Sequence, residues 1–254
     1  MIPGFEALDR LAVALFAGDI ATTAPRVFLA SLGSFTAMYV IFAITTWFMT
    51  ARLLPALKVG AQIDQRVPAA GQIAAEIRGS AISILVFALF AVGIHVLIAH
   101  GWLSVNWHSS LSWIALETLI LLAWNEVHFY LCHRLLHTSW LFRHVHLEHH
   151  RSIRVTPLAA FRFHWFEALL LSTVMPIAML VHEFSVWSLL ALPPASLAIN
   201  MFGHANYDVA PGLAEHQLPA FGRRHSLHHH RPQGNFGFFT PYMDRLLGTG
   251  DKRS

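Results

Sequence analysis

Residues 27–51, VFLASLGSFTAMYVIFAITTWFMTA, carry no charged side chain, with Arg26 before them and Arg52 after. A helix of roughly 20 residues covers a hydrocarbon core of ~30 Å, so this run is long enough to cross a bilayer. Lipid offers no partner to backbone N–H and C=O groups, so a segment of this kind satisfies them internally, as a helix. The composition extends the constraint to the whole chain. It is 55% hydrophobic and only 12% charged, with a mean hydropathy of +0.51, against about 25% charged residues in soluble domains.

Further apolar runs follow at residues 80–99, 111–137, 165–181 and 185–201. The last two read as a hairpin around His182, Glu183 and Phe184, with Pro176, Pro193 and Pro194 predicting kinks. Residues 11–18 are apolar but too short to span. They lack the basic start and small-residue cleavage site of a signal peptide, and an interfacial helix is expected there. The predicted fold is an all-α integral membrane bundle of about four to five spans in a single domain, residues 1–254, with a histidine-rich cytoplasmic cap.

Charge placement predicts the orientation. Of the 17 Lys and Arg residues, all but Arg10 and Arg26 fall on one side of the predicted spans, and the positive-inside rule makes that side cytoplasmic. The connection at 100–110 has no Lys or Arg and carries Trp102 and Trp107, with Trp113 just beyond, as an aromatic belt would. The net charge of +3 comes with no basic run in a soluble motif, so no nucleic-acid partner is expected. A bacterial inner membrane is the expected compartment.

Fourteen of the 18 histidines lie on the basic side. His133 and His137 form HRLLH; His146, His149 and His150 form HLEHH; His225, His228 and His229 form HSLHH. Residues three and four apart share a helix face, so the rings of each group are predicted to aim at a common point. Buried imidazoles need partners for their ring nitrogens, and metal ions supply them. Eight exceed what one ion coordinates, which predicts two metals. Imidazole suits Zn, Fe, Cu and Ni alike, and the single cysteine, Cys132, rules out a cysteine-based site.

Residues 126–150, EVHFYLCHRLLHTSWLFRHVHLEHH, resemble the first two histidine boxes of the fatty acid hydroxylase and sterol desaturase superfamily. FRFHWFEALL (161–170), FGHANYD (202–208), HSLHH, NFG (235–237) and MDRLLGT (243–249) resemble its later segments, in the same order. The resemblance implies that His133, His137, His146, His149, His150, His225, His228 and His229 bind metal, with His204 a ninth ligand and His164 a tenth. Some members have a further histidine where Asn200 stands here, a slot left to the amide oxygen, His164 or water. Glu126 matches the family's acid and is expected to accept a proton from a ligand imidazole, fixing its tautomer. The catalytic part would span about residues 120–250.

The implied activity is hydroxylation or desaturation of an unactivated C–H in a lipid-like substrate: a sterol, fatty acyl chain, ether lipid or carotenoid. It uses O₂ and two iron ions (Fe²⁺), which zinc can replace in a purified sample. The chain has no Rossmann or P-loop fingerprint, so electrons are expected from a separate ferredoxin or cytochrome-type donor, with Arg223 and Arg224 as a docking surface. Two other readings stay open: a zinc-dependent membrane lipid hydrolase, and a histidine-rich metal transporter, which would need polar ligands near the membrane midplane. His128, His144, His216 and His230 fall off the box spacing and are expected to be structural or solvated. His95, His100, His108 and His182 lie on the far side.

Overall fold

The computed structural model describes residue 10 and residues 19–107 and 109–250. The interfacial helix expected at 11–18 and the position of His108 lie outside the described residues. Four helices are long and apolar enough to cross a membrane, and the fold is an all-α membrane bundle. Helix α1 (Ile20–Phe48) starts at Asp19, whose side chain accepts the Thr22 N–H at 2.8 Å, satisfying one of the four orphan donors of the first turn. A π-helical turn, Met49–Leu53, carries it on to Ala56, so the predicted first span is extended at both ends. Helix α2 (Gln72–Ala99) and helix α3 (Leu111–Leu136) follow.

After α3 the chain turns through a π-helical stretch, Phe142–His146, into the short helix α4 (Leu147–His150) and the 3₁₀ turn Pro157–Phe161. The predicted fourth span is broken in two. Helices α5 (Trp165–Ser172) and α6 (Val174–Met179) meet at Thr173, whose hydroxyl donates back to the Leu170 carbonyl at 2.7 Å, three residues before Pro176. Together they are shorter than a span, because the hydroxyl and the missing proline N–H both weaken the helical ladder at that point. Helix α7 (Val186–Gly203) completes the hairpin, followed by α8 (Phe221–His230) and α9 (Tyr242–Leu247).

Two apolar clusters join these helices. Tyr39, Ala43, Ile84, Phe161, Phe163 and Leu197 pack α1, α2 and α7 around the 3₁₀ turn, whose Leu158 carbonyl accepts from both the Tyr39 and Ser80 hydroxyls. Leu121, Met179, Phe184 and Leu192 join α3, α6 and α7. Leu29, Ile41, Ile44 and Phe48 remain exposed along α1, as expected of side chains that face lipid. Strands β1 (Ala61–Gln62) and β2 (Tyr207–Asp208) pair antiparallel and tie the connection after α1 to the one after α7. Two residues per strand leave no periodicity for a sequence reading to detect.

Buried carboxylates hold both ends of the bundle. At the histidine end Glu76 accepts from Gln72, Ser152 and Thr156 at 2.6–2.7 Å, pinning the loop after α4 to α2. At the opposite end Glu117 accepts the Ser185 N–H and the Ser188 hydroxyl and pairs with His182. The C-terminal segment is knotted by Asp244, which accepts the Phe236 and Gly237 N–H groups and the Thr249 hydroxyl. Gly237 has no room for a side chain, since a Cβ there would stand 2.5 Å from the Thr240 carbonyl oxygen. The NFG and MDRLLGT motifs therefore serve to shape this loop.

Candidate metal centre

The histidines at the ends of α3, α4, α7 and α8 converge into two groups. His133, His137, His146, His150 and His228 form one; His149, His204, His225 and His229 form the other, and in each the ligating atoms lie within 4.8 Å of one another. Helical spacing delivers His133 with His137, His146 with His150, and His225 with His229, whose Nε2 atoms stand 3.2 Å apart in each pair. The HxxHH boxes, however, do not each aim at one point. His149 turns away from His146 and His150 into the second group, and His228 turns away from His225 and His229 into the first. Consecutive residues on a helix point about 100° apart, so each HH pair lies between the two groups, with the His150 and His229 rings 4.7 Å apart across the divide.

Hydrogen bonds at the outer ring nitrogens fix which nitrogen faces inward. His133 Nδ1 donates to the Phe236 carbonyl (2.8 Å), His149 Nδ1 to Arg162 (3.2 Å), His204 Nδ1 to Asn200 (2.9 Å) and His228 Nδ1 to Gly234 (2.6 Å). A carbonyl only accepts, so these four imidazoles carry their proton on Nδ1 and present a bare lone pair at Nε2. His149 Nε2 and His204 Nε2 then face each other at 3.3 Å with no proton to share, and the buried His228 Nε2 meets no polar partner among the described residues. A cation between such nitrogens turns repulsion into ligation, and the 2.9–3.3 Å separations within the second group suit two ligands on one ion with bonds of about 2.1 Å. The residues fit a pair of metal ions.

Burial reinforces this donor set. Desolvation, with repulsion between neighbouring imidazoles, drives His146, His149, His150, His225 and His229 well below the ordinary histidine pKa and pushes His204 down to about 4, and desolvation brings His228 to about 4 as well. All are neutral at pH 7, the form that binds metal.

His164 is the exception among the expected ligands. It stands outside both groups at the N-cap of α5, in extended backbone, where its Nδ1 accepts the Phe166 N–H at 3.2 Å. There the ring serves as the helix cap. At the neighbouring slot the Asn200 side-chain N–H donates to the Ala160 carbonyl at 2.7 Å. The expectation for Glu126 is corrected as well. Among the described residues its carboxylate hydrogen-bonds no imidazole; it accepts the N–H groups of Phe238, Phe239 and Thr240 and the Thr240 hydroxyl, so it positions the loop that presents the carbonyls of Gly234 and Phe236.

The acid that orients a ligand directly is Glu167, buried in α5, with Oε1 2.8 Å from His146 Nδ1. Its sequence signal was a carboxylate inside an otherwise apolar run, a placement that carries a large desolvation cost unless it is used. Glu167→Gln is expected to weaken metal binding in the His146 group by about 10–100-fold, measured as metal retained against graded chelator. Retention equal to the parent would remove Glu167 from this role. Arg223 and Arg224 do not form the expected outward surface: Arg223 pairs with Asp208, and the buried Arg224 donates to the carbonyls of Glu215, Gln217 and Phe239.

An apolar cavity of about 590 Å³ runs between α1, α2, α3 and α7 up to the metal centre. Along α7 its lining extends from Val186 to Asn200, which is ~21 Å at 1.5 Å per residue. At the histidine end it is walled by Phe129, Phe163 and Phe238. Phe129 packs on His133 and Phe163 on His149, with ring centroids 5.0 and 5.1 Å apart. His128 contributes to the wall and bonds to Thr173, so it serves the cavity and not the metals.

Fold and site together define a membrane helical bundle with two buried histidine groups, each able to hold a metal ion, at the end of an apolar cavity. The chain belongs to the fatty acid hydroxylase family, whose profile matches residues 118–249, just over half of its length. Among curated proteins it is 29% identical over 154 aligned positions to the very-long-chain aldehyde decarbonylase GL1-6 of Oryza sativa subsp. indica, covering 51% of this chain and 22% of that protein. It is 30% identical to Protein CER1-like 1 of Arabidopsis thaliana over 50% of this chain and 22% of that protein, and 31% identical to rice GL1-11 over 54% and 53%. The match thus spans between a fifth and about half of these relatives. All three are plant proteins and lend no support to the bacterial source expected from the sequence. No solved structure matches the chain.

Proposed function

We propose that this chain is a membrane di-iron oxygenase that hydroxylates or desaturates an unactivated C–H of a lipid-like substrate, drawing electrons from a separate donor of ferredoxin or cytochrome type. The observation that carries the metal assignment is the facing pair of bare lone pairs on His149 and His204. In this reading His133, His137, His146, His150 and His228 hold one iron and His149, His204, His225 and His229 the other. The irons, when bound, supply O₂ activation and hydrogen abstraction.

The chain's own residues do the rest. Carbonyls of Phe236, Arg162, Asn200 and Gly234 and the Glu167 carboxylate hold the Nδ1 protons, keeping each inward nitrogen basic and aimed. The apolar cavity takes the substrate chain and excludes water, and Phe129 and Phe163 bring it against the ligands. In this reading the histidine end, with its basic loops, faces the cytoplasm, and the chain is a single membrane domain whose catalytic part lies within about residues 120–250.

The names of the rice relatives, very-long-chain aldehyde decarbonylases, add a second product class, the hydrocarbon chain left when a very-long-chain aldehyde loses its carbonyl carbon. Metal analysis of anaerobically purified protein, followed by comparative lipid mass spectrometry of cells with and without the gene, tests the reading. About two irons per chain and an O₂-dependent lipid product are expected; a hydroxylated or unsaturated product against a shortened one separates the two classes. Tightly held zinc with ester cleavage and no O₂ dependence would replace the proposal with a lipid hydrolase.

A further inference from the structure

A second cavity, of about 310 Å³, opens at the histidine end between the start of α2, the Phe142–His146 turn and the start of α5. Arg78, Arg143 and Arg151 line it, with His144, His164 and Trp165. The positive charge is largely uncompensated. Arg78 makes no hydrogen bond or ion pair among the described residues, and Arg143 reaches only the Ser139 carbonyl. Glu148, the carboxylate in the lining, is shared between Arg151 at 2.6 Å and the buried Arg162 at 3.0 Å. Guanidinium groups gathered this way recognise planar or tetrahedral oxyanions through paired N–H donors.

Two further features connect this pocket to a lipid. Trp165, half exposed at its rim, marks the level at which aromatic side chains meet headgroups. Phe163 lines both cavities and packs on His149, so the two cavities adjoin at this ring, beside the histidine groups. The pocket has the size of a headgroup, whereas a protein partner would need a broad surface.

We infer that this pocket binds the anionic headgroup, carboxylate or phosphate, of the lipid whose chain enters the large cavity past Phe163. The inference rests on the lipid-oxygenase reading and narrows its substrate class to anionic amphiphiles. The test is equilibrium binding of oleate, dioleoyl phosphatidate, oleyl alcohol and inorganic phosphate to the metal-loaded protein in neutral detergent, with and without Arg78→Gln plus Arg143→Gln. Oleate or phosphatidate is expected to bind more tightly than oleyl alcohol, and the double variant to weaken that binding by about tenfold or more while metal content and oleyl alcohol binding hold. Equal binding of alcohol and anions, or anion binding unchanged in the double variant, would overturn the inference. Inorganic phosphate bound as tightly as phosphatidate would also overturn it, by assigning the pocket to a free anion. A pocket that instead docks an acidic redox protein would show donor-dependent turnover lost in the double variant with lipid binding intact, which likewise overturns it. Affinity is read without turnover, so failure of the oxygenase reading shows separately, as absent iron or O₂-independent products.

Discussion

His149→Ala and His228→Ala are each expected to abolish turnover and to lower bound metal from about two ions per chain to about one, because neutral imidazole lone pairs are what the buried site offers a cation. The two variants empty different positions: His149 belongs to the group with His204, His225 and His229, and His228 to the group with His133, His137, His146 and His150. Spectroscopy of the remaining ion should therefore differ between them, while the helical fold persists; removing the His149 ring also removes its lone-pair repulsion with His204. Full activity with two bound ions in either variant would overturn the ligand assignment, and loss of both ions in both variants would show that the sites load only as a pair.

Glu126→Ala should produce the second largest effect, and chiefly on stability. The Glu126 carboxylate accepts the N–H groups of Phe238, Phe239 and Thr240 and the Thr240 hydroxyl, all from a segment more than 110 residues away in the chain. Hydrogen bonds to an ionised acceptor contribute about 1.5–3 kcal/mol each, so losing several leaves the C-terminal loop without its anchor. Residues 231–250 should become cleavable in limited proteolysis, and metal should leave the His133 and His228 group first, because Phe236 and Gly234 supply the carbonyls that orient those two rings. Glu126→Gln, which keeps one carbonyl oxygen, should retain part of the anchoring. A protease-resistant Glu126→Ala protein holding both ions would show that Asp244 alone shapes the loop.

Much of the architecture was legible from the sequence because lipid enforces it. The charge-free run at 27–51 admits only a helix, and the same reasoning located α2, α3 and α7. It failed at 165–181, where hydropathy continues through Thr173 and Pro176 although the helix does not; apolarity averages over a window, and a ladder breaks at single residues. It was silent on the pairing of Ala61–Gln62 with Tyr207–Asp208, a contact between distant loops with no periodic signal. The role of Glu167 was missed for a related reason: it depends on a residue 21 positions away, and no local spacing encodes that distance.

The sequence by itself determined that the chain forms a membrane bundle and that its histidines, too many and too regularly spaced for packing, collect at one end. Only the tertiary structure decided how they are shared out. A helix guarantees that residues four apart lie on one face, which is why His133 with His137, His146 with His150 and His225 with His229 stay together. It also guarantees that neighbours diverge, so His149 and His150, like His228 and His229, part company between the two histidine groups. Where each diverging ring finds its partners depends on how α3, α4, α7 and α8 are brought against one another by buried contacts such as those of Glu76, Glu126 and Leu158. Those contacts join residues far apart in the chain.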